Sequence, residues 1–470
     1  MSLSPQEPRI VWQTQDKNSE YESLRRGVFN AIVPERYPKA IVQPTTVEEI
    51  VGAVHLANRL GCRVAIRSGG HSWACWSIRD NSVLVDLRSF HHLAFNETTG
   101  IVEASPSTTG SQMDTFLKDS GRTVLAGHCG DVGLGGFLLQ GGMGLNCRGF
   151  GATCEYVSAI DVVTSRGEFL HCDASENADL YWASRGAGPG FPAIVTRFYL
   201  RTRPRHPVLS LTSYAWPVSL YDQVMPWLLE VLELLDHDIE PTITGTVLPN
   251  LGKVILVRFN AWAASLDEAR LKIAPVIESR PRGAVMAQEC VENSIPLEYE
   301  FALVVNPKGP RYIADDVYLD PNLPSAQVVS LLKDPFTHFL DTSIVFIEPM
   351  MPTSRRQLPD MSLSLMSDFY VAIYAKYDDA KEDAKHQAFV QSHMRKLEPY
   401  SIGAYLGDAD FTVRPTKFWS DDAHAKLTAV RKRWDPQGKI CGYLDKDDKS
   451  DAAGLSNVLE SEEISLDSKL

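Results

Sequence analysis

The chain has 470 residues, of which 44% are hydrophobic and 22% charged, and its formal net charge is −13. This composition is typical of a globular protein, and the length predicts two or three domains. The negative charge argues against nucleic acid or an anionic membrane as a partner, because neither would be attracted electrostatically. A bound dinucleotide stays compatible with it, since backbone amides can hold phosphates without net positive charge.

The N-terminal residues contain no apolar stretch typical of a secretory signal, and no window approaches the ~18 apolar residues of a membrane span. The eight cysteines form no CxxC pair and no spacing typical of zinc. We therefore expect no membrane association, no metal site, a reduced compartment and mostly free thiols. In that compartment the sequon Asn96-Glu97-Thr98 is interpreted as a surface turn.

Helix and strand signals alternate through residues 39–203 and predict a first domain over residues 1–203. The segment TTVEEIVGAVHLANRLG has a threonine N-cap, an acidic first turn and Gly61 as a stop, which predicts a helix. Short apolar strands follow it: RVAIR, SVLVDLRSF, IVEAS, AIDVVTS and EFLHC. Glycine-rich passages lie between the strands, and the last of these passages feeds an alternating strand that ends near residue 203.

A different pattern begins at residues 203–210 and continues to residue 399. Alternating strands (VILVRFNAW, FYVAIYAKY) are separated by helices (YDQVMPWLLEVLELL, AFVQSHMRKL), which is typical of an antiparallel sheet with helices on one side. From residue 400 the glycine-rich pattern returns, followed by the helix DAHAKLTAVRKRWDP. We predict an α+β fold with a first domain of mixed sheets and helices (1–203) that residues 400–446 complete, a central domain (204–399) with a helix-covered antiparallel sheet, and a flexible tail (447–470).

The first candidate site is residues 67–72, RSGGHS, where a strand runs into a Gly-Gly turn. Successive free amides at such a turn can hold a pyrophosphate close to the backbone. The alternative is a tight turn beside a buried histidine, and this motif by itself does not decide between the two.

The second candidate site is residues 127–144, GHCGDVGLGGFLLQGGMG, with seven glycines between 130 and 144. Glycines leave room for a backbone to lie against a flat ring or a phosphate. A flexible loop is the alternative, but the interleaved apolar residues are unlike a solvated linker. A third passage, RGAGPGF at 185–191, is weak alone and is not a GxGxxG dinucleotide fingerprint.

Together these passages resemble the berberine bridge enzyme-like FAD-linked oxidoreductases of the vanillyl-alcohol oxidase superfamily. IRSGGHSW is similar to the family segment whose histidine bonds the flavin 8-methyl group, which implies His71. GHCGDVGLGG is similar to the segment whose cysteine bonds flavin C6, which implies Cys129. The resemblance therefore implies FAD held by two covalent bonds. The further residues that we expect to contact FAD are Arg67, Ser68, Gly69, Gly70, Ser72, Gly127, Val132, Gly133, Gly136, Gly141, Gly142, Gly144 and Val195.

The resemblance also implies a reaction: hydride transfer from a small organic substrate to flavin N5, assisted by a base. Tyr405 is the implied base, although a phenol needs a neighbouring positive charge to act at neutral pH. Tyr370 and Tyr374 share one face of a period-2 strand and are candidates for the substrate pocket, whereas Tyr377 lies on the other face. We expect a secondary metabolite rather than an extracellular sugar as substrate.

The resemblance further implies how the flavin is reoxidised. In this family valine three residues after the cysteine admits oxygen, and this chain has Val132 there, which predicts an oxidase that releases H2O2. Two departures keep other functions open. Gly407 stands where the family commonly has asparagine, and Met143 where many members have tyrosine or phenylalanine. The alternatives are a redox-neutral isomerase or cyclase that uses the flavin pocket as a scaffold, and a catalytically silent flavin-binding protein.

The last three residues, Ser468-Lys469-Leu470, match the address that the peroxisomal import receptor reads. The polar, acidic residues before them are typical of a flexible tail, in which a receptor could reach the tripeptide. We therefore predict a peroxisomal protein, with the cytoplasm as the alternative, and a peroxisome would also dispose of the peroxide.

Overall fold

The computed structural model describes residues 4–411, 413–443 and 457–459; the Ser468-Lys469-Leu470 address and the rest of the predicted tail (447–470), apart from 457–459, lie outside them. Within 457–459, Asn457 is buried and its side chain hydrogen-bonds the backbone of Trp419, so this part of the predicted flexible tail packs against the folded chain. The strands are, in chain order, β1 (Ile10–Trp12), β2 (Ala40–Val42), β3 (Arg63–Arg67), β4 (Ser82–Asp86), β5 (Leu93–Asn96), β6 (Ile101–Ala104), β7 (Arg122–Thr123), β8 (Val157–Thr164), β9 (Phe169–Cys172), β10 (Ala193–Arg201), β11 (Arg203–Pro204), β12 (Val208–Pro217), β13 (Ile239–Leu248), β14 (Gly252–Ala263), β15 (Met286–Asn293), β16 (Arg311–Leu319), β17 (Ser343–Pro349), β18 (Phe369–Tyr377) and β19 (Ser401–Gly403).

The α-helices accompany these strands in both halves of the fold. They are α1 (Glu20–Arg25), α2 (Val47–Arg59), α3 (Gly110–Leu117), α4 (Leu134–Leu139), α5 (Cys147–Phe150), α6 (Ala178–Ala183), α7 (Tyr221–Leu232), α8 (Leu266–Ser279), α9 (Ile295–Val305), α10 (Ser325–Thr337), α11 (Asp383–Leu397) and α12 (Asp421–Trp434). Among the residues that the structure describes, no helix has the length and apolar content needed to cross a membrane.

The first domain contains a mixed and an antiparallel sheet. The mixed sheet has the order β1-β2-β4-β3, with β2, β3 and β4 parallel, and the five-stranded sheet has the order β5-β6-β10-β8-β9. Helix α2 begins as predicted at Thr46, whose hydroxyl accepts a hydrogen bond from the backbone N–H of Glu49 at 3.2 Å. Its apolar face packs on the mixed sheet. Strand β3 of this sheet ends at Arg67, where the RSGGHS turn begins.

The central domain is an eight-stranded antiparallel sheet in the order β15-β12-β14-β13-β17-β18-β16-β19. Helices α7, α8, α10 and α11 contribute buried apolar side chains to a core on one face of this sheet. The opposite face carries the side chains of alternate residues, such as Thr242 and Thr244 on β13 and Tyr370 and Tyr374 on β18, toward the first domain. The predicted α+β class, with helices covering an antiparallel sheet, is confirmed.

The C-terminal return segment contributes to both halves of the fold. Its first strand, β19, pairs with β16 at the edge of the central sheet, rather than with a sheet of the first domain. Further on, Ile440 forms a parallel bridge with Val64 of β3, and α12 packs among the buried side chains of the first domain. Residues 404–411 therefore lie where the two halves meet.

Candidate active site

A cavity of about 770 Å³ lies between the glycine-rich loops of the first domain and the open face of the central sheet. This volume is within the range of pockets that enclose an organic ligand. Most of the residues predicted for FAD and substrate line it: Arg67, Ser68, Gly69, Gly70, His71, Ser72, Gly127, Cys129, Val132, Gly133, Gly136, Val195, Tyr370, Tyr374 and Tyr405. The cavity thus brings together residues from both predicted domains and from the return segment.

Gly141, Gly142 and Gly144, which were also predicted to contact FAD, do not line this cavity. Their carbonyls and amides are used in a turn against α5: Gly142 accepts a hydrogen bond from the Thr153 N–H, and Gly144 bridges to Gly127. Gly141 and Gly142 have φ of +113° and +79°, which explains glycine there by backbone conformation. The apolar residues between the glycines pack into the core of the first domain.

Arg67 lines the cavity wall, but its guanidinium is committed to the fold. It is buried and donates hydrogen bonds to Asp86 at 2.7 Å and to the carbonyls of Leu24 and Arg25. Asp86 also accepts a bidentate pair from Arg88. This network holds the end of β3 in place and hence the turn that carries His71.

The glycine loops pack backbone to backbone beside the cavity. A Cβ on Gly69 would lie 2.7 Å from the backbone nitrogen of Gly133, and one on Gly135 would lie 2.6 Å from the Ser68 hydroxyl. By contrast, a Cβ on Gly136 would meet no atom within 4 Å, because Gly136 faces the cavity. Two bare backbones that enclose an open channel fit the close approach of a dinucleotide.

His71 is held at the cavity by an aromatic ring and a carboxylate. Its imidazole stacks on Phe29 with centroids 4.4 Å apart, and its Nε2 lies 3.0 Å from Oδ2 of Asp131. Although burial favours the neutral acid, the contact with His71 holds the pKa of Asp131 below its usual range. An ionised carboxylate therefore faces the ring nitrogen.

Cys129 lies in a loop that the surrounding structure holds tightly. The Ser111 N–H donates to the Gly130 carbonyl at 2.8 Å, and a Cβ on Gly130 would lie 2.6 Å from Cγ of Tyr299, a residue of α9. Burial, with the charges of Asp131 and Asp408, raises the pKa of the Cys129 thiol to about 12. Cys129 is therefore a thiol rather than a thiolate at neutral pH.

His128, next to Cys129, belongs to a cluster with two buried carboxyl groups. Its Nε2 lies 2.9 Å from Glu240, and the ligand atoms of His128, Glu240 and Glu348 are all within 4.8 Å of one another. Burial opposes the charge on His128, but Glu240 outweighs it and raises its pKa to about 9. Burial also raises the pKa of Glu348 well above its usual range. His128 and Glu240 therefore form an ion pair beside the neutral carboxylic acid of Glu348.

Tyr405 lines the cavity, and its hydroxyl accepts a hydrogen bond from the Met143 N–H at 3.3 Å. Burial and the charge of Asp408 raise the pKa of Tyr405 well above its usual range. A nearby positive charge would favour the phenolate, but no positively charged side chain among the described residues lowers the pKa of Tyr405. A Cβ on Gly407 would lie 2.3 Å from Cε1 of the Tyr405 ring, so the family's asparagine would displace this tyrosine.

Asp408 is the centre of a hydrogen-bond network that the sequence did not predict. Its Oδ2 accepts from the hydroxyls of Tyr374, at 2.9 Å, and Tyr370, and its Oδ1 accepts from Nε1 of Trp73 at 2.6 Å. The hydroxyls of the two tyrosines, which share one face of β18, are themselves 3.0 Å apart. Burial and Asp408 raise the pKa of both phenols, so both hydroxyls keep their protons and donate them in hydrogen bonds to the carboxylate.

The sequence reasoning therefore missed Asp408, Asp131, Trp73 and Phe29. The first three lie inside or beside the recognised motifs, so a search for acidic and aromatic neighbours could have selected them. Phe29 has no such signal, because it belongs to an irregular segment that contacts His71 only through tertiary packing.

The chain is similar in sequence to known proteins over most of its length. Residues 38–173 match the family model described as an FAD binding domain. The FAD-linked oxidoreductase nodO of Hypoxylon pulicicidum is 41% identical over 437 residues, which cover 93% of this chain and 97% of that protein. The match thus includes the central domain and the return segment.

Solved structures share the fold at lower identity. BBE-like 1 of Physcomitrella patens superposes with a TM-score of 0.81 at 19% identity, covering 96% of this chain and 98% of that one. Glucooligosaccharide oxidase from Acremonium strictum, described with a 6-S-cysteinyl, 8α-N1-histidyl FAD, has a TM-score of 0.78 at 16% identity and covers 95% and 97%. At these identities the likeness shows the fold alone.

Proposed function

Because the chain belongs to the berberine bridge enzyme-like FAD-linked oxidoreductases, we propose that it is an oxidase with FAD covalently bound to both His71 and Cys129. It oxidises a small organic substrate, which we infer to be a secondary metabolite, and returns the electrons to dioxygen as H2O2. The observation that carries this proposal is that His71, Cys129 and the Asp408 network line one cavity.

The double attachment draws support from the positions of the two residues. His71 follows one glycine-rich segment and Cys129 precedes another, and both segments leave room for the cofactor beside their backbone. The glucooligosaccharide oxidase that shares the fold is described with a cysteinyl and a histidyl bond to FAD. His71 would bond through Nδ1, because Asp131 occupies Nε2. The Cys129 thiol must lose a proton as its bond forms, since burial disfavours the thiolate beforehand.

A flavin bound in this cavity supplies a two-electron acceptor that dioxygen can reoxidise. Asp408 removes the proton that the substrate releases, through the hydroxyl of Tyr370 or Tyr374. The phenol passes its own proton to the carboxylate as it takes that of the substrate, so no phenolate is required. Tyr405, the base that the resemblance implied, is better suited to bind substrate, because its environment favours the neutral phenol.

The cavity wall is mostly apolar, which favours a substrate that itself carries few polar groups. Phe346 and Ile344 of β17, Leu248 of β13 and Phe301 of α9 line the part away from the glycine loops. Such a surface gains stability by burying hydrocarbon or aromatic skeletons. This favours a secondary metabolite over a sugar, whose hydroxyls need many hydrogen-bond partners.

Attachment is tested on purified protein by acid precipitation and peptide mass. Wild-type protein should retain all its FAD, and its digest should contain the His71 and Cys129 peptides joined through one FAD. His71→Ala and Cys129→Ala should each retain FAD through the other residue, and the double variant should release it. Cys172→Ser, a buried cysteine outside the cavity, is the control. Release of the yellow colour from denatured wild-type protein would contradict the proposal.

Oxidase activity is tested by screening phenolic, polyketide and alkaloid compounds for release of peroxide. One mole of O2 should be consumed for each mole of product. Because Gly407 replaces the family's asparagine, a redox-neutral isomerase or cyclase is the alternative to an oxidase. An anaerobic incubation distinguishes these two functions. An oxidase stops after one turnover without oxygen, whereas an isomerase or cyclase continues. Continued anaerobic turnover would therefore overturn the oxidase assignment.

A further inference from the structure

Asp131 is a charged residue that contacts His71 beside the cavity, and the proposed reaction leaves its role open. It lies two residues after Cys129, and its Oδ2 is 3.0 Å from Nε2 of His71, so it connects the two segments that carry the proposed attachment residues. Its other oxygen, Oδ1, is buried without a hydrogen-bond partner among the described residues. The tyrosine network does not include it.

The position of Asp131 is fixed by its own loop. The Val132 N–H donates to the Cys129 carbonyl at 3.2 Å, and the Val132 carbonyl accepts from the Gly110 N–H at 3.3 Å. On the other side, stacking on Phe29 orients the imidazole of His71. Both partners are therefore held in place by contacts within the protein, which is what a directed reaction between fixed groups requires.

The contact decides which nitrogen of His71 is free. A carboxylate oxygen 3.0 Å from Nε2 requires the hydrogen on Nε2, because two lone pairs would repel each other. In the neutral ring the remaining lone pair is then on Nδ1. This is the tautomer that can form a bond through Nδ1 without first moving a proton.

We propose that Asp131 directs the attachment of FAD to His71, as a positioning residue that fixes the reactive tautomer and receives the Nε2 proton. This inference rests on the proposed function, since it explains how one of the two covalent bonds forms.

The step balances with dioxygen as the oxidant. His71 Nδ1 forms a bond to the carbon of the flavin 8-methyl group, and one C–H bond of that methyl breaks. Two protons leave, one from the methyl and one from Nε2 through Asp131. The two electrons of the broken bond pass through the flavin to O2, which takes up two protons and becomes H2O2. Asp131 assists because the ring becomes positively charged as Nδ1 bonds, and a nearby carboxylate stabilises that charge.

The test compares FAD occupancy at two peptides of the same purified holoenzyme. Asp131→Asn keeps the shape of the side chain but cannot hold the proton. We expect the fraction of His71 peptide that carries FAD mass to fall at least about tenfold, while the Cys129 peptide stays loaded. Glu103→Gln, which neutralises the carboxylate 3.1 Å from His92 on the β5–β6 hairpin, is the matched control and should leave both peptides loaded.

Two outcomes are distinguished by the wild-type sample. Full loading of the His71 peptide in Asp131→Asn would overturn this inference alone. A wild-type His71 peptide without FAD would overturn the proposed double attachment and this inference with it. Loading of the Cys129 peptide reports that the site is folded. If Asp131→Asn does not fold, Asp131→Ser makes the same comparison with a smaller neutral side chain, and normal His71 loading there would equally overturn the inference.

Discussion

Replacement of Asp408 by asparagine tests the proposed proton acceptor most directly. The carboxylate receives three donors, from Trp73, Tyr370 and Tyr374, whereas an amide offers only one oxygen. At least one donor would then face the NH2 group, which costs about 1–3 kcal/mol of stability for a buried group left unpaired. The chemical effect is larger, because an amide cannot take up a proton and a positioned base contributes about 10²–10⁴-fold in rate.

The assay separates the two half-reactions in a stopped-flow instrument. Under anaerobic conditions, and with a compound that gives peroxide in the screen, flavin reduction in Asp408→Asn should slow by about 10²-fold or more. Reoxidation of chemically reduced protein by O2 needs no substrate and should be unchanged. Tyr374→Phe is the control: it leaves Tyr370 as the relay and should slow reduction by up to about tenfold. Reduction of Asp408→Asn within about threefold of the wild type would refute the role of Asp408.

Three further predictions concern oxygen, stability and location. Val132→Leu, at the cavity wall, should slow reoxidation of chemically reduced protein by at least about tenfold, without changing the anaerobic reduction rate. Asp86→Asn leaves buried Arg67 without its counter-charge and should cost about 3–5 kcal/mol in denaturant unfolding. Arg88 and Arg67 outweigh burial and lower the folded-state pKa of Asp86, so its stabilising effect is fully present above the unfolded pKa of about 3.9 and should be lost as pH falls through the folded pKa. Deletion of Ser468-Lys469-Leu470 should move a fluorescently tagged chain from peroxisomes to the cytosol by microscopy.

Most of the residues that local patterns in the sequence selected line the cavity. Gly69, Gly133 and Gly136 were selected because glycine leaves room for a ligand, and all three line the cavity. The period of a strand predicted that Tyr370 and Tyr374 share one face, and both line the cavity. These features depend on residues that are close in the sequence, where backbone geometry determines which side chains share a face.

Other features depend on contacts between distant segments, which a pattern in one segment does not contain. Asp408 joins Trp73 from the first domain to tyrosines of the central sheet only because β19 pairs at the edge of that sheet. The same limit explains Gly141 and Gly142: composition alone does not distinguish a glycine that faces a ligand from one that a positive φ requires. Arg67 was assigned to the cofactor because it belongs to the RSGGHS motif, whereas its partner Asp86 lies outside that motif on the neighbouring strand β4.

The positions of His71 and Cys129 have a consequence for the unfolded chain. The two residues lie roughly 60 positions apart in the sequence and on two separate loops of the cavity. With both bonds in place, the flavin is a cross-link that closes a loop of that length, as a disulfide would. Loop closure of this size lowers the entropy of the unfolded state and stabilises the fold by on the order of 4 kcal/mol. The prosthetic group would then act as a staple in a domain whose cysteines are otherwise free thiols.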